Sequence, residues 1–230
     1  MKRSKILMLC LCSVILSGCQ EKKTAAVEPL AEETTMTTTA EPETTAAETT
    51  EAETTQDETE DIAQSPQLPD VGSWDGTIYH NEFAQLTFHL PSDWESTPPE
   101  DIPERLGISK EQLKAQPSAS FAMLAINPSN YTAITLSFEN LDVVFEGSKI
   151  TVEDYSDILK TVVSQSHDYK FEDLYEKELG GNIYTVLECN LPEYSLGLHY
   201  YLRKVDNVIV CLSINYAPND SVEEILEYFD

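Results

Sequence analysis

Between Val71 and Asp230 the apolar residues recur with two different periods, and the points where the period changes divide the stretch into elements. Alternation through Leu86, Phe88 and Leu90, stopped by Pro91, predicts a short strand over 85–90 paired with another over 76–79 across a turn at His80 and Asn81, with Trp94 closing that edge. A passage with Pro98, Pro99 and Pro103 follows. Ser109 and Gln112 then stand at capping-box spacing for a short helix ending before Pro117. Residues 120–126 and 131–138 are apolar or β-branched, and Asn127-Pro128-Ser129-Asn130 between them is turn chemistry, so they predict a hairpin.

Thr151 with Asp154 opens the longest helix, in which Tyr155, Ile158, Leu159, Val162 and Val163 share one face; this amphipathic helix is expected to cover the sheet. Period two then returns in four runs, near 170–179, over 183–190, over 197–204 and over 207–216, which predict a meander. Pro218-Asn219-Asp220 breaks it. Ser221 and Glu224 cap a last helix with Val222, Ile225, Leu226 and Phe229 on its apolar face. The fold class is therefore α+β: seven or eight mostly antiparallel strands covered by two main helices, with one short helix besides, in a single domain over 71–230.

Composition changes sharply before residue 71. Residues 20–70 are built from Thr, Glu and Ala, contain no aromatic residue and carry 14 acids against 2 bases. Such a segment cannot bury enough surface to offset about 1–2 kcal/mol per residue of backbone ordering, and is expected to be a disordered tether. A neutral flexible chain of this length spans on the order of 40 Å, and its acids repel one another to lengthen it.

Ahead of the tether, Lys2, Arg3 and Lys5 precede an apolar run over 6–16, too short to span a bilayer as a mature helix. The run ends in Leu16-Ser17-Gly18-Cys19, which resembles a bacterial lipoprotein cleavage box. The resemblance implies a signal peptide over 1–18, a lipid-modified Cys19 as first residue of the mature chain, a linker over 19–70, and attachment to the extracytoplasmic face of the cell membrane. In the domain, Tyr79-His80-Asn81 through Leu90-Pro91-Ser92-Asp93-Trp94, a helix, a hairpin-rich half containing Tyr200-Tyr201, and a capped C-terminal helix are similar to extracytoplasmic lipoproteins of Gram-positive anaerobes with a PsbP-like domain. That resemblance implies binding and assembly work and supplies no site residue.

The formal charge is -27, and residues 71–230 carry 27 acids against 9 bases. A surface of this kind repels nucleic-acid phosphates, which excludes nucleic acid as partner and favours a neutral or basic protein or envelope component. The chain has no Gly-rich phosphate loop, zinc-protease helix, EF-hand ladder or nucleophile elbow, so neither cofactor nor catalytic residue is assigned. Ser166-His167-Asp168 resembles a hydrolytic trio only in composition, since sequence neighbours rarely converge on one reacting atom. Glu153 and Asp157 have the spacing for a divalent cation, but acids in a first helical turn are favoured by the helix dipole without any ligand. Cys189 and Cys211 fall on strands that the meander order places either side of a third, beyond disulfide reach; a bridge would need those strands adjacent. The expected function is a non-catalytic binding or interaction module, with a small cell-envelope hydrolase or a solute-binding lipoprotein as alternatives. The expected partner surface is the meander carrying Tyr194, His199, Tyr200 and Tyr201. Tyr200 and Tyr201 must point to opposite faces, so a sheet covered on one face would leave one of them available.

Overall fold

The computed structural model describes residues 68–145, 149–217 and 220–230. The expected signal peptide over 1–18, the lipidated Cys19 and nearly all of the linker lie outside these residues. Among the described residues eleven strands form two antiparallel sheets. The smaller joins β1 (Ser73–Asp75), β2 (Ile78–Asn81) and β3 (Leu86–His89) in sequence order. The larger has eight strands: β4 (Glu95–Thr97), β5 (Ala119–Ile126), β6 (Ala133–Asn140), β7 (Lys170–Phe171), β8 (Tyr175–Leu179), β9 (Asn182–Leu191), β10 (Leu196–Val205) and β11 (Val208–Tyr216). Its order is β4-β5-β6-β11-β10-β9-β7, with β8 also paired to β9. The expected hairpin is β5–β6 and the expected meander is β8 to β11, in register from Gly197↔Tyr216 to Val205↔Val208 across its last pair. The expected run over 170–179 is split. From Phe171 to Tyr175 the outer chain takes four steps where their partners Cys189 and Val186 are three apart, so one extra residue bulges at the edge.

Five α-helices accompany the sheets among the described residues: α1 (Ile102–Arg105), α2 (Lys110–Lys114), α3 (Leu141–Phe145), α4 (Val152–Val163) and α5 (Val222–Leu226). The capping boxes at α2 and α4 form as their sequences predict. Ser109 Oγ accepts from Gln112 N at 3.2 Å and Gln112 Oε1 from Ser109 N at 2.7 Å; Thr151 and Asp154 do the same at 3.1 and 3.0 Å. Each reciprocal pair satisfies amide donors that a helix start otherwise leaves unpaired.

The large sheet is roofed on both faces. On one, α4 lays Tyr155, Leu159 and Val163 against Leu187, Cys189, Leu198, Tyr200, Leu202, Ile209 and Cys211, while α1 places Ile102 beside Phe121, Leu124 and Ile126 nearer the β4 edge. On the other, the small sheet contributes Tyr79, Leu86 and Phe88, and α5 contributes Val222, Ile225 and Leu226, over Leu136, Phe138, Val186, Tyr201, Val210 and Leu212. Two details of this second roof differ from the sequence reading. His80 and Asn81 belong to β2, and the turn follows at residues 82–85, where Asn81 Oδ1 accepts from Ala84 N at 2.8 Å. The final helix stops at Leu226, and the residues after it pair with β3: His89 N donates to Tyr228 O at 2.8 Å and Asp230 N to Thr87 O at 3.0 Å, with the Phe88 and Phe229 rings 5.0 Å apart. Phe229 therefore fills the core from a β-bridge instead of from a helix face.

One carboxyl group is enclosed by this packing. Glu139 on β6 is buried and accepts from Tyr155 Oη of α4 at 2.6 Å. Burial pushes its carboxyl up from 4.5 to about 7, against the opposing effect of the Tyr155 hydrogen bond. Between those values the folded chain holds a proton that the unfolded chain has released, so stability falls as pH rises from about 4.5 to about 7, by up to about 3 kcal/mol. Glu139→Gln is expected to remove this loss, and denaturant midpoints at pH 5 and 8 measure it; a wild-type slope retained in the variant would contradict the assignment.

Candidate functional site

The expected aromatic surface is not where the sequence placed it. Tyr200 and Tyr201 do point to opposite faces, but both are fully buried, Tyr200 beneath α4 and Tyr201 beneath the small sheet and α5. The expectation that one would be available fails because the sheet has a second roof. His199 is buried as well, and of the four residues only Tyr194, in the 3-10 turn Pro192–Tyr194, is exposed. Its ring centroid lies 5.8 Å from that of His167.

His199 is instead the centre of a polar cluster at the end of the second face. Glu188 on β9 faces it across the ladder, and Tyr216 reaches it from β11 because Gly197, the register partner of Tyr216, leaves space for the ring to lie across β10. His199 Nε2 is 2.9 Å from Tyr216 Oη and 3.8 Å from Glu188 Oε1, and Tyr175 Oη on β8 donates to the same Glu188 oxygen at 2.6 Å. Beyond them Lys177 and Glu223 pair at 2.6 Å. Both partners of the imidazole meet one nitrogen, while the buried Nδ1 has no hydrogen-bond partner. A general base oriented by a carboxylate needs them on opposite nitrogens. Burial holds His199 below the usual histidine range against the pull of Glu188 and Glu223, and it raises Tyr216 and Tyr175 above the usual phenol range, Glu188 adding to both. The imidazole is thus kept neutral while the two phenols keep their protons. Glu188 was passed over in the sequence although it shares the parity of Tyr184 and Val186, and an acid at an apolar parity was the available signal.

The remaining residues singled out from the sequence do not converge. Ser166 Oγ donates to Val163 O at 2.9 Å, turned back onto the end of α4, and the His167 ring packs on Tyr169 and Tyr194. His80 Nδ1 lies 3.2 Å from Thr87 Oγ1, and His89 Nε2 2.7 Å from Asp230 Oδ2, both at the surface. Asp157 meets Lys160 at 3.4 Å within α4. Among the described residues no group of three His, Cys, Asp or Glu side chains is placed to hold a metal ion. Cys189 and Cys211 are unbridged and flank β10, as the meander order requires, and burial pushes the Cys189 thiol up to about 12. A thiol at that value is inert as a nucleophile at neutral pH.

What the fold does open is an apolar cavity of about 290 Å³ near the start of β5. Leu68 and Val71 wall it where the chain enters the domain, Pro99 and Pro103 bound it ahead of and within α1, Leu113 and Gln116 come from α2 and the residues after it, and Phe121 comes from β5. Ser120 also lines it, and its Oγ is buried without a hydrogen-bond partner. The walls are thus almost entirely hydrocarbon. Nothing in the local sequence marks it, because its walls come from separate segments.

Two substitutions separate these places. Gly197→Ala puts a methyl group inside the Tyr216 ring, so the ring must leave His199; the expected cost is about 1–3 kcal/mol, read from chemical denaturation, and a neutral effect would show that Tyr216 does not lie across β10. In a Glu139→Gln background the depressed His199 governs the acid limb. The unfolded chain then binds more protons than the folded one, and stability is expected to fall as pH drops below about 6.5. Adding His199→Gln should flatten that fall, and an unchanged acid limb would place the titrating group elsewhere.

No protein-family model matches the chain, and no curated protein matches it. Among solved structures it is similar to the cyanobacterial PsbP protein (CyanoP) of Synechocystis, at 13% identity and a TM-score of 0.44 over 69% of this chain and 97% of that one. It is also similar to a protein from Bacteroides thetaiotaomicron, at 13% identity and a TM-score of 0.34 over 68% of this chain and 48% of that one. Neither likeness assigns a residue, a ligand or an activity here.

Proposed function

We propose that this protein is a lipid-anchored, extracytoplasmic binding module of PsbP-like type that holds a partner without turning over a substrate. Cys19 carries the lipid in this reading, residues 20–70 form an acidic spacer, and the α+β domain is the part that binds. The observation that carries the reading is the apolar cavity beside Leu68 and Val71, which the domain presents next to the point where the spacer joins it. The His199 cluster supports the same reading, since Tyr216 Oη and Glu188 both meet one ring nitrogen and no carboxylate orients the other. The acidic excess of the domain favours a neutral or basic partner over an anionic envelope polymer.

Expression of the full chain in a Gram-positive host tests the anchor. Wild-type protein is expected in the membrane fraction with an intact mass that includes acyl chains on an N-terminal Cys19, and Cys19→Ser in the medium or unprocessed. Membrane-extracted protein without lipid on Cys19 would remove the anchor from the proposal. Hydrolysis of a peptide, ester or glycan by the purified chain, abolished by His199→Gln, would replace the binding reading with an enzymatic one.

A further inference from the structure

Two hydrogen bonds tie the start of α4 to the large sheet, and their sheet residues stand on one row of the ladder. Ile209 on β11 is the register partner of both Glu139 on β6 and Lys204 on β10, so the three side chains share the face beneath α4. At one end of the row Tyr155 Oη donates to Glu139 Oε2 at 2.6 Å; at the other, Lys204 Nζ donates at 2.8 Å to the carbonyl oxygen of Ile150, the residue before the Thr151 cap. Two pairing steps separate Glu139 from Lys204, about 10 Å between their Cα atoms. A glutamate and a lysine side chain together span that distance, with the apolar stem of the lysine laid along Ile209.

The other groups around Glu139 are neutral or already engaged. β5 brings Ala119, and β11 brings Ile209 and, two residues on, the buried Cys211 thiol. α4 brings the Tyr155 phenol, while Asp154 in its first turn accepts from Thr151 N at 3.0 Å and Asp142 in α3 accepts from Asn207 Nδ2 at 2.9 Å. While the Glu139 carboxyl is protonated it offers no charge, and the Ile150 carbonyl is the better acceptor for Lys204. Once ionised, it is a buried anion, and an ammonium bonded to it gains a Coulomb attraction that a neutral carbonyl lacks. Burial sets the change near neutral pH, since it pushes this carboxyl up to about 7: the folded chain keeps the proton below that value and releases it above.

We propose that Lys204 is a pH-driven latch on α4: with Glu139 protonated its ammonium holds Ile150 O, and with Glu139 ionised it crosses Ile209 to the carboxylate and releases the start of the helix. Tyr155 Oη donates to Glu139 in both states, so α4 stays over the sheet and the loosening is confined to the turn around Thr151. The two arrangements differ in the partner of one ammonium group, and the proton on Glu139 selects between them.

Carbon-detected NMR of the full chain between about pH 5 and about pH 8.5 tests this. The Glu139 carboxyl, the Ile150 carbonyl and the Lys204 carbon bearing the ammonium are expected to shift with one shared midpoint. Above it the Tyr155 amide, which donates to Thr151 O at 3.1 Å, should lose hydrogen-exchange protection after correction for the intrinsic pH dependence, by at least about threefold. Lys204→Met keeps an apolar stem and removes the cation, so the Glu139 midpoint should rise by at least about one unit and the Ile150 response should vanish. Glu139→Gln, neutral throughout, should keep Lys204 on Ile150 O and flatten both the Ile150 and Tyr155 signals. A lysine that merely braces Ile150 would leave the Glu139 midpoint unmoved in Lys204→Met. That result, separate midpoints for Glu139 and Ile150 in the wild-type chain, or a Glu139 carboxyl that does not titrate in this range would each overturn the latch. If Lys204→Met does not fold, the wild-type midpoints and Glu139→Gln decide the matter.

Discussion

Two tyrosines in succession on one strand impose a constraint that the rest of the domain satisfies. Period two sends Tyr200 to one face of the large sheet and Tyr201 to the other, so neither face can be left to solvent without exposing a large ring. Each ring, fully buried, contributes on the order of 2–3 kcal/mol of apolar transfer, which a face open to water would forfeit. The chain meets the constraint with two roofs of different construction. α4 is long enough to cover the first face by itself with an amphipathic stripe. The second is covered by three short strands and the single-turn α5, none of which would be stable alone, and they are held by their pairing with the chain's last residues and by Arg203. Its guanidinium donates to Ala84 O at 2.6 Å and to Asn182 Oδ1, and it lies 5.4 Å over the Tyr184 ring, joining the turn after β2 to β9 and β10.

Where the second roof thins, the sheet face turns polar. Tyr175 and Glu188 are partly exposed while His199 two residues from Tyr201 is buried, so the line from Tyr201 through His199 to Glu188 runs from dry core to surface within a few residues. Such gradients often mark catalysis, because burial and charge pull titratable groups in opposite directions. Here the pulls leave the histidine neutral and the phenols protonated, and Glu188 accepts from Tyr175. Tyr201 Oη and Tyr184 Oη, buried on the same face without hydrogen-bond partners, show that this part of the core tolerates polar atoms for the sake of ring volume.

Local interactions were legible in the sequence and distant ones were not. The capping boxes at Ser109 and Thr151 require residues three apart, and the β5–β6 hairpin and the meander require neighbours joined by short turns; all of them formed. The unbridged state of Cys189 and Cys211 followed from the same neighbour rule. What sequence order could not supply was the closing of the sheet by β6 against β11, a pairing of residues some seventy positions apart such as Leu136 and Leu212, or the return of Tyr228 and Asp230 to β3. The misplacement of Tyr200 and Tyr201 followed from that gap. Their opposite orientation was read from the strand alone, but their exposure depended on a roof assembled from residues 73–89 and 222–230, which no local pattern announces. Glu139 escaped notice for a related reason, since on β6 it shares the parity of Ser137 and Thr135 and reads as part of a solvent face until α4 covers it.

The same contrast explains why the cavity lies at one edge of the large sheet and not the other. At the β8 edge the outer strand carries Glu176, Lys177 and Glu178 with a bulge beside it, charged devices that discourage pairing by a foreign strand and keep apolar groups away. At the opposite edge β4 pairs with only Leu124, Ala125 and Ile126 before Pro98 and Pro99 end it, because proline cannot continue a ladder and lifts the chain away. The first half of β5 is therefore protected by a helix instead of a strand, with Ile102 and Leu106 packed down on it. A helix covers an edge less closely than a strand does, as its axis stands off by the thickness of its side chains. The gap that remains between α1, α2 and the entering residues Leu68 and Val71 is the cavity. Its apolar walls are core-forming side chains left without a neighbour, and so the cavity follows from how the chain solved a problem of sheet termination.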